Sequence, residues 1–250
     1  MLYGPRFLTS SKQEIIFSSI QAKDSIINCN TLEMDITKLS GRPNPNDPIL
    51  VQIQSRGVGK TKSIYDLGMK KDLLYFDFTC DQYGGGTKYL HIESCLDSIN
   101  NLTKNKNNNY EDYQKLRQET KNIFMKLFLC GLIHHGIFRN IFKDESSEFF
   151  LRYSMNGGAK ILDHLFNIIL DYDINSIRNI AFGYESDIIF AYDEVGCLVK
   201  AFNGKFLSKN AIEANKISDE ILRGLFDVFS DAILSMRPYR YYQSKILYFL

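Results

Sequence analysis

The stretch from Ile49 to Asp66 constrains the fold most, because it joins an apolar run to two closely spaced glycines and the start of a helical pattern. The run Ile49-Leu-Val-Gln-Ile-Gln predicts a buried β-strand, and the segment from Lys62 to Lys71 predicts a helix. A turn between a strand and a helix start gathers backbone N–H groups around one point, where they can bind phosphate oxygens. We therefore expect a phosphate-binding turn between this strand and this helix.

The turn carries the residue types that phosphate binding needs. Glycines at two of its positions let a ligand approach the backbone closely. A lysine after them supplies a charge for the β- and γ-phosphates, and the next hydroxyl can complete the coordination of Mg²⁺. The pattern G-x-x-x-x-G-K-[ST] is met only in its second part, because Gln54 stands where the first glycine belongs. The predicted nucleotide-binding residues are Ser55, Arg56, Gly57, Val58, Gly59, Lys60, Thr61 and Lys62. A surface turn that happens to carry two glycines and a lysine is the alternative.

A second segment, from Asp187 to Glu194, is an apolar run that ends in two adjacent carboxylates. Its length suits one buried strand, and in a parallel sheet that strand presents Asp193 at the carboxyl edge. There Asp193 can hold Mg²⁺ directly or through water, and Glu194 can polarise an attacking water. The predicted catalytic residues are Lys60 and Glu194, and the predicted metal ligands are Thr61 and Asp193. For an Asp-Glu pair alone, a solvated turn is the alternative.

Composition limits the number of domains and the classes of partner. With 250 residues and 44% hydrophobic content, the chain can bury one sizeable core. Thirty basic and twenty-nine acidic residues give a net charge of +1, which argues against nucleic acid and anionic membranes as partners. The start has no signal-peptide form, and the apolar segment from Ile123 to Phe138 is too short and too interrupted for a bilayer span. We expect no membrane association.

The cysteines and histidines are predicted to be structural. Five cysteines, widely spaced and without a C-x-x-C pair, favour reduced and mostly buried thiols. An intracellular location, cytoplasmic or nuclear, follows from this. The adjacent pair His134-His135 would point its rings in different directions on a helix, so satisfied or exposed side chains are favoured over metal ligands.

The domain organisation is predicted to be a helical leader with a proline-rich loop over residues 1–48, followed by one domain over residues 49–250. Within it the run of asparagine and lysine from Asn100 to Asn109 predicts a mobile surface segment. The other predicted elements are a strand over Leu73–Thr79, one or two helices over Tyr110–Phe138, a helix over Ile161–Leu170, a helix over Ile221–Met236 with Ser218 as N-cap, and a strand over Lys245–Leu250.

Together, Gln54-Ser-Arg-Gly-Val-Gly-Lys-Thr61 and Ile188-Ile-Phe-Ala-Tyr-Asp-Glu194 resemble the Walker motifs of AAA-type P-loop ATPases. More narrowly, they resemble crinkler-type NTPases in the S-R-G-x-G-K-T form of the turn, a second strand ending in Cys80 and a long helical stretch before Asp-Glu. The resemblance covers the chain from Asn46 to Leu250. It implies that ATP and Mg²⁺ bind, with the loop and Walker B roles carried by Lys60, Thr61, Asp193 and Glu194.

The expected fold is therefore α/β, a three-layer P-loop NTPase-like parallel sheet with a large helical insertion, truncated at the C-terminus. AAA-type ATPases have a polar sensor residue at the tip of the strand beside Walker B, whereas the matching strand here, Lys245 to Leu250, ends in apolar residues. No fifth strand and no later arginine-bearing segment are expected. These features predict ATP binding with slow hydrolysis.

Two other functions stay open. The first is a non-catalytic, nucleotide-controlled interaction module of crinkler-like descent, acting on a protein partner or through self-association. The second is a small-molecule kinase, for which the sequence shows no acceptor-binding constellation.

Overall fold

The computed structural model describes residues 16–17, 49–52, 60–78, 90–104, 109–155, 157–184, 188–193, 195–208, 222–236 and 245–249. Its helices are α1 (Lys60–Gly68), α2 (Leu90–Lys104), α3 (Tyr110–Ile141), α4 (Ser147–Met155), α5 (Gly157–Ile169), α6 (Ile174–Ala181), α7 (Gly196–Lys200) and α8 (Leu225–Met236). Its strands are β1 (Ile16–Phe17), β2 (Ile49–Gln52), β3 (Leu73–Asp77), β4 (Ile189–Asp193), β5 (Phe206–Leu207), β6 (Leu222–Arg223) and β7 (Lys245–Phe249).

Among the described residues, five strands form one parallel sheet in the order β1-β2-β7-β4-β3. Strands β5 and β6 form a separate antiparallel pair. Helices α2 to α6 lie between β3 and β4 in the chain, although these two strands are neighbours in the sheet. The helices that the sequence predicted over Tyr110–Phe138 and Ile161–Leu170 are among them. Parallel neighbours need a crossover of this kind, because the end of one strand and the start of the next lie at opposite edges of the sheet.

Helices pack on both faces of β3 and β4, as buried strands of a parallel sheet require. On one face α1 packs against β3, where the ring centroids of Tyr65 and Tyr75 lie 5.5 Å apart. On the other face Tyr192 of β4 makes edge contacts with Phe128 of α3 at 5.7 Å and with Phe229 of α8 at 5.3 Å. These two strands therefore lie between two layers of helix.

Helix α3 lies close to the sheet at Gly131. A Cβ atom there would lie 3.0 Å from Cε1 of Phe190 and 3.1 Å from Cδ1 of Leu74. Both distances are shorter than ordinary van der Waals contact, so a side chain at this position would require Phe190 and Leu74 to shift by a few tenths of an ångström. Glycine at this position therefore allows the close packing of α3 on β3 and β4.

Several predicted elements are confirmed with small shifts in their bounds. The helix after the predicted turn, the strands over β3, β4 and β7, and the helix α5 all form where the sequence pattern predicted them. The segment Tyr110–Phe138, for which one or two helices were predicted, forms the single helix α3. The side chain of its N-cap, Asn109, accepts a hydrogen bond from the backbone N–H of Asp112 at 2.8 Å. None of the helices in the described part of the chain has the length and apolarity to cross a bilayer.

Two predictions on local structure differ from the structure. Residues 100–104, predicted to be mobile, form the last turn of α2, because Leu102 packs against the core. The helix predicted over Ile221–Met236 starts only at Leu225, since Leu222 and Arg223 form β6. The proposed N-cap Ser218 lies outside the described residues, and so do residues 105–108 of the predicted mobile segment.

The predicted helical leader contributes a strand instead. Ile16 and Phe17 form β1, which pairs in parallel with Leu50 and Val51 of β2. The sheet therefore has a fifth strand, which the sequence prediction did not include, and it comes from the segment before β2. The other residues of the predicted leader and its proline-rich loop lie outside the described residues.

Asp72 ties the amino edge of the sheet to two helices. It precedes β3, and its carboxylate accepts hydrogen bonds from Nε2 of His135 at 2.6 Å, from Nε of Arg139 at 2.6 Å and from Oγ of Ser147 at 2.8 Å. Burial opposes ionisation, but the hydrogen bonds from these three residues outweigh it and hold the pKa of Asp72 well below its usual range. The ends of α3 and α4 are thereby fixed to the start of β3.

Arg117 makes a similar connection near the first half of α3. The side chain is 3% exposed, and its Nη1 donates to the Leu207 carbonyl at 2.6 Å and to Asp227 at 2.5 Å. Its Nη2 donates to Asp231 at 3.2 Å, and Lys121 lies 3.4 Å from the same carboxylate. This network joins α3 to α8 and β5.

His134 is buried, and no described residue is a hydrogen-bond partner for either of its ring nitrogens. Its ring stacks on Tyr153, with centroids 5.4 Å apart. The sequence predicted a satisfied or exposed side chain, and the structure contradicts this for His134 although His135 is paired. Burial, with a smaller effect of His135, lowers the pKa of His134 to about 4.

We predict that His134 limits stability in acid. His134 stays neutral in the folded state down to about pH 4, whereas in the unfolded state it is protonated below about pH 6.5. The free energy of unfolding is therefore unaffected by this group above pH 6.5 and decreases as the pH falls from 6.5 to about 4. The loss from this group should reach about 3 kcal/mol. Denaturant unfolding between pH 4 and 7 should show a flatter profile for His134→Phe than for the wild type. His164→Phe, which changes an exposed histidine on α5, is the control, and equal profiles for all three proteins would contradict the prediction.

Candidate functional site

The carboxyl ends of β2, β7, β4 and β3 lie together at one edge of the sheet. Gln52 of β2 pairs with Phe249 of β7, and Asp77 of β3 pairs with Asp193 of β4. Because Tyr192 of β4 pairs with Tyr248 of β7, the four strands end in one row. In open α/β sheets, ligands bind in the crevice outside this edge. The row of strand ends is therefore the candidate site.

Helix α1 begins at the same edge. It starts at Lys60, shortly after β2 ends at Gln52, and it ends at Gly68, shortly before β3 starts at the opposite edge. Its nine residues make it about 13 Å long, which is close to the length of a short strand. The positive end of its dipole consequently lies at the carboxyl edge, where anions are favoured.

The structure places some of the predicted binding residues and leaves others undescribed. Lys60 and Thr61 are placed by their backbone in the first turn of α1. The side chain of Lys62 is 82% exposed and lies 3.9 Å from Asp66, so a contact with a ligand at the edge would come from its backbone. The predicted residues outside the described part of the chain are Ser55, Arg56, Gly57, Val58, Gly59 and Glu194.

Asp193 ends β4 and is 3% exposed. The hydroxyl of Tyr75 donates a hydrogen bond of 2.9 Å to its Oδ2. Side chains alternate along a strand, so the register of β3 and β4 puts Tyr75, Asp77 and Asp193 on the face that α1 covers. A carboxylate this deeply buried needs hydrogen-bond donors or a cation to offset the loss of water, and Tyr75 supplies one such donor.

Tyr75 remains a donor over the whole physiological pH range. Burial, followed by the nearby carboxylates of Asp193 and Asp77, raises the pKa of Tyr75 far above its usual value. The ring also packs against Tyr65 of α1. Tyr75 therefore links the helix that follows the predicted turn to the carboxylate that ends β4.

Tyr75 and Asp77 lie at the candidate site although the sequence pattern did not predict them there. Their spacing of two in a predicted strand was a signal that they share a face, and Asp77 ends β3 as Asp193 ends β4. The missing information was that β3 and β4 are neighbours, because more than a hundred residues separate them in the chain. Only the fold brings the three side chains to one place.

The donor chemistry at this edge fits Mg²⁺. Within the described ranges, no group of three or more His, Cys, Asp and Glu side chains is arranged to hold a metal ion. Magnesium, however, is usually bound by one or two protein carboxylates and takes its other ligands from water and from substrate phosphates. The hard oxygens of Asp193 suit that mode of binding.

Comparisons of the chain with protein-family models, with curated proteins and with solved structures found no significant match.

Proposed function

We propose that this chain is an ATP-binding module of the P-loop type that hydrolyses ATP slowly. One observation carries the proposal: the parallel sheet brings the end of β2, the start of α1 and Asp193 to one edge, with only β7 between β2 and β4. The sequence pattern predicts phosphate binding between the first two of these segments and metal binding at Asp193. Asp193 is more than a hundred residues from the other two segments in the chain, which makes this convergence informative.

The connections that follow β2 and β4 determine where a ligand could enter this edge. The chain leaves β2 towards α1, on the face of Tyr75, and it leaves β4 towards α8, on the opposite face with Tyr192. Where neighbouring connections diverge to opposite faces, an open space remains outside the strand ends. A triphosphate that entered it would meet the positive end of α1 on one side and Asp193 on the other.

Each predicted residue has a role in this proposal. The backbone N–H groups of residues 55–61 would bind the phosphates, and Lys60 would contact the β- and γ-phosphates. Thr61 and Asp193 would hold Mg²⁺, which offsets phosphate charge when bound. Glu194 would orient the attacking water. The resemblance to AAA-type and crinkler-type NTPases supports these roles residue by residue.

The register of β7 supports weak catalysis. Phe249 is the last described residue of β7 and stands in the row with Gln52 and Asp193. An apolar residue at this tip offers no hydrogen bond to the γ-phosphate or to an attacking water. This favours slow turnover, and it also favours the second candidate function, a nucleotide-controlled interaction module whose partner is another protein or a second copy of the chain.

The proposed location of this protein is intracellular, in the cytoplasm or the nucleus. Among the described residues, Cys95 and Cys130 are buried free thiols. Burial raises the pKa of both buried thiols, which keeps them protonated and unreactive. They serve as small core residues rather than as redox or metal groups.

We predict that Lys60→Ala weakens ATP binding by at least tenfold. The phosphates lose a charge-assisted contact worth about 1.5–3 kcal/mol. Isothermal titration of ATP in the presence of Mg²⁺ measures the effect. Lys71→Ala, an exposed lysine beyond the other end of α1, is the matched control. Equal affinity in Lys60→Ala and in the control would refute the assignment of the turn.

A further prediction distinguishes the role of Asp193 from that of Glu194. Asp193→Asn keeps an oxygen for the Tyr75 hydroxyl but removes the charge, so it should reduce the gain in ATP affinity that Mg²⁺ provides. Glu194→Gln should leave this affinity nearly intact and suppress turnover. Titrations with and without Mg²⁺, together with a phosphate-release assay, test both statements. Identical behaviour of the two variants would show that the assigned roles are wrong.

We also predict a low rate for the purified chain. Multiple-turnover phosphate release should stay below about 1 s⁻¹, compared with about 10 s⁻¹ for a typical enzyme. If turnover is undetectable while ATP binds, the interaction module becomes the better description. A rate above this limit that Glu194→Gln abolishes would instead identify a complete catalyst.

A further inference from the structure

We propose that α5 carries a self-association surface, on which a second copy of the chain docks with its own α5 antiparallel to the first. The surface consists of Lys160, Ile161, Ile168, Asp171 and Tyr172, and we refer to it as the α5 stripe. The inference goes beyond the proposed function, because it involves neither ATP nor the carboxyl edge of the sheet. It rests on exposed apolar side chains and on the placement of two charges.

The α5 stripe presents large apolar side chains on the outer surface of the helix. Ile161 is 52% exposed, Ile168 is 46% exposed and Tyr172 is 58% exposed. The inner face of α5 is occupied, because Leu162 and Phe166 are buried in the core. Single apolar residues are common on protein surfaces, whereas several along one side of a helix form a patch that a partner can cover. The charges of the stripe indicate which partner this is.

The residues of the stripe are placed symmetrically along the helix. Ile161 and Ile168 are seven residues apart, which corresponds to two turns or about 10.5 Å along the axis. Lys160 and Asp171 are eleven residues apart, which corresponds to three turns or about 16.5 Å. The midpoints of the two pairs are only one residue apart. A two-fold axis near this point therefore places Ile161 opposite Ile168 of the second copy, and Lys160 opposite Asp171 of the second copy.

Asp171 and Tyr172 follow the end of α5 in a turn that hydrogen bonds hold in place. The N–H of Tyr172 donates to the carbonyl of Ile169 at 3.1 Å, so the backbone continues the course of the helix for another turn. From α3, Nζ of Lys126 donates to the carbonyl of Leu170 at 2.5 Å. Because the backbone of the stripe is already ordered, docking costs little conformational entropy there.

The two charges stand at the ends of α5 where its own dipole disfavours them. Lys160 lies in the first turn, at the positive end, and Asp171 lies just beyond the negative end. Both are exposed, and neither forms an ion pair with another described residue, although the charge of Lys126 acts on Asp171. In an antiparallel pair, Lys160 lies beside the negative end of the second helix and beside its aspartate. Charge complementarity therefore selects a second copy of this chain, and symmetry repeats the contact.

A second exposed apolar cluster at the end of α3 lacks this property. It includes Ile141 and Phe142, and the charged residues beside it are Lys143, Asp144 and Glu145. These three are consecutive in the sequence, so the cation and the anions are not separated and specify no orientation for a partner. Ile141 is consequently a suitable control position for the α5 stripe.

Sedimentation equilibrium of the full chain without nucleotide tests the inference. A stripe on one helix buries less than the roughly 800 Å² per partner of a standard interface, so we expect a weak dimer, with a Kd of about 100 µM. Loading concentrations from about 5 to about 500 µM cover this range. Repulsion between the copies is small, because each has a net charge of +1.

Single substitutions on the stripe should weaken the dimer. Lys160→Glu and Asp171→Lys should each raise the Kd about tenfold, because each turns two attractive contacts into repulsive ones. Ile168→Ser should raise it by a similar factor, because it removes apolar contact on both copies. Ile141→Ser, the control, should leave the Kd within about twofold of the wild type. All four positions are exposed, and circular dichroism checks that the variants are folded.

A charge exchange tests the antiparallel orientation. In the double variant Lys160→Glu/Asp171→Lys, opposite charges face each other again, so the Kd should return to within about threefold of the wild type. A mixture of the two single variants should form a heterodimer for the same reason, although each variant alone associates poorly.

The inference is overturned if the wild type stays monomeric up to the highest concentration. It is also overturned if Ile141→Ser disrupts the dimer while the variants of the stripe do not, or if neither the double variant nor the mixture restores association. Since these measurements contain no nucleotide, their failure leaves the proposed ATP binding intact. A chain that dimerises in this way but does not bind ATP would overturn only the proposed function.

Discussion

The candidate site depends on the register between β3 and β4. Pairing of Asp77 with Asp193 also places Tyr75 within reach of the Asp193 carboxylate. A slip of one residue would turn Asp193 to the opposite face, which is filled by aromatic rings. Tyr192 prevents this slip, because its ring is buried against Phe128 and Phe229 on that face. Core packing on one side of the sheet thus determines the polar geometry on the other.

The two edges of the sheet use carboxylates in different ways. At the amino edge, Asp72 is surrounded by donors from two helices, including the guanidinium of Arg139, and it serves to join structural elements. At the carboxyl edge, Asp193 receives a bond from a neutral phenol. One carboxylate therefore joins two helices to a strand, and the other joins two neighbouring strands of the sheet.

Sequence patterns predicted the elements that depend on local periodicity. The apolar run before Asp193 became β4, and the long amphipathic segment became α3. Predictions failed where long-range packing decides the outcome. The composition of residues 100–104 suggested mobility, but Leu102 fixes them in α2, and the isoleucine spacing near Ile16 suggested a helix where pairing with β2 gives a strand. Tyr75 could not be identified as a partner of Asp193, because that contact exists only once two distant strands are side by side.

The place of β7 has a consequence for how this protein is made. β7 follows the other described strands in the chain, yet it lies at the centre of the sheet, between β2 and β4. During synthesis, the pairs β1-β2 and β3-β4 exist as two separate halves, each with an open edge whose backbone groups lack partners. The sheet becomes continuous only after translation has passed β7, so the pairing of the two halves depends on a strand that is synthesised after both of them.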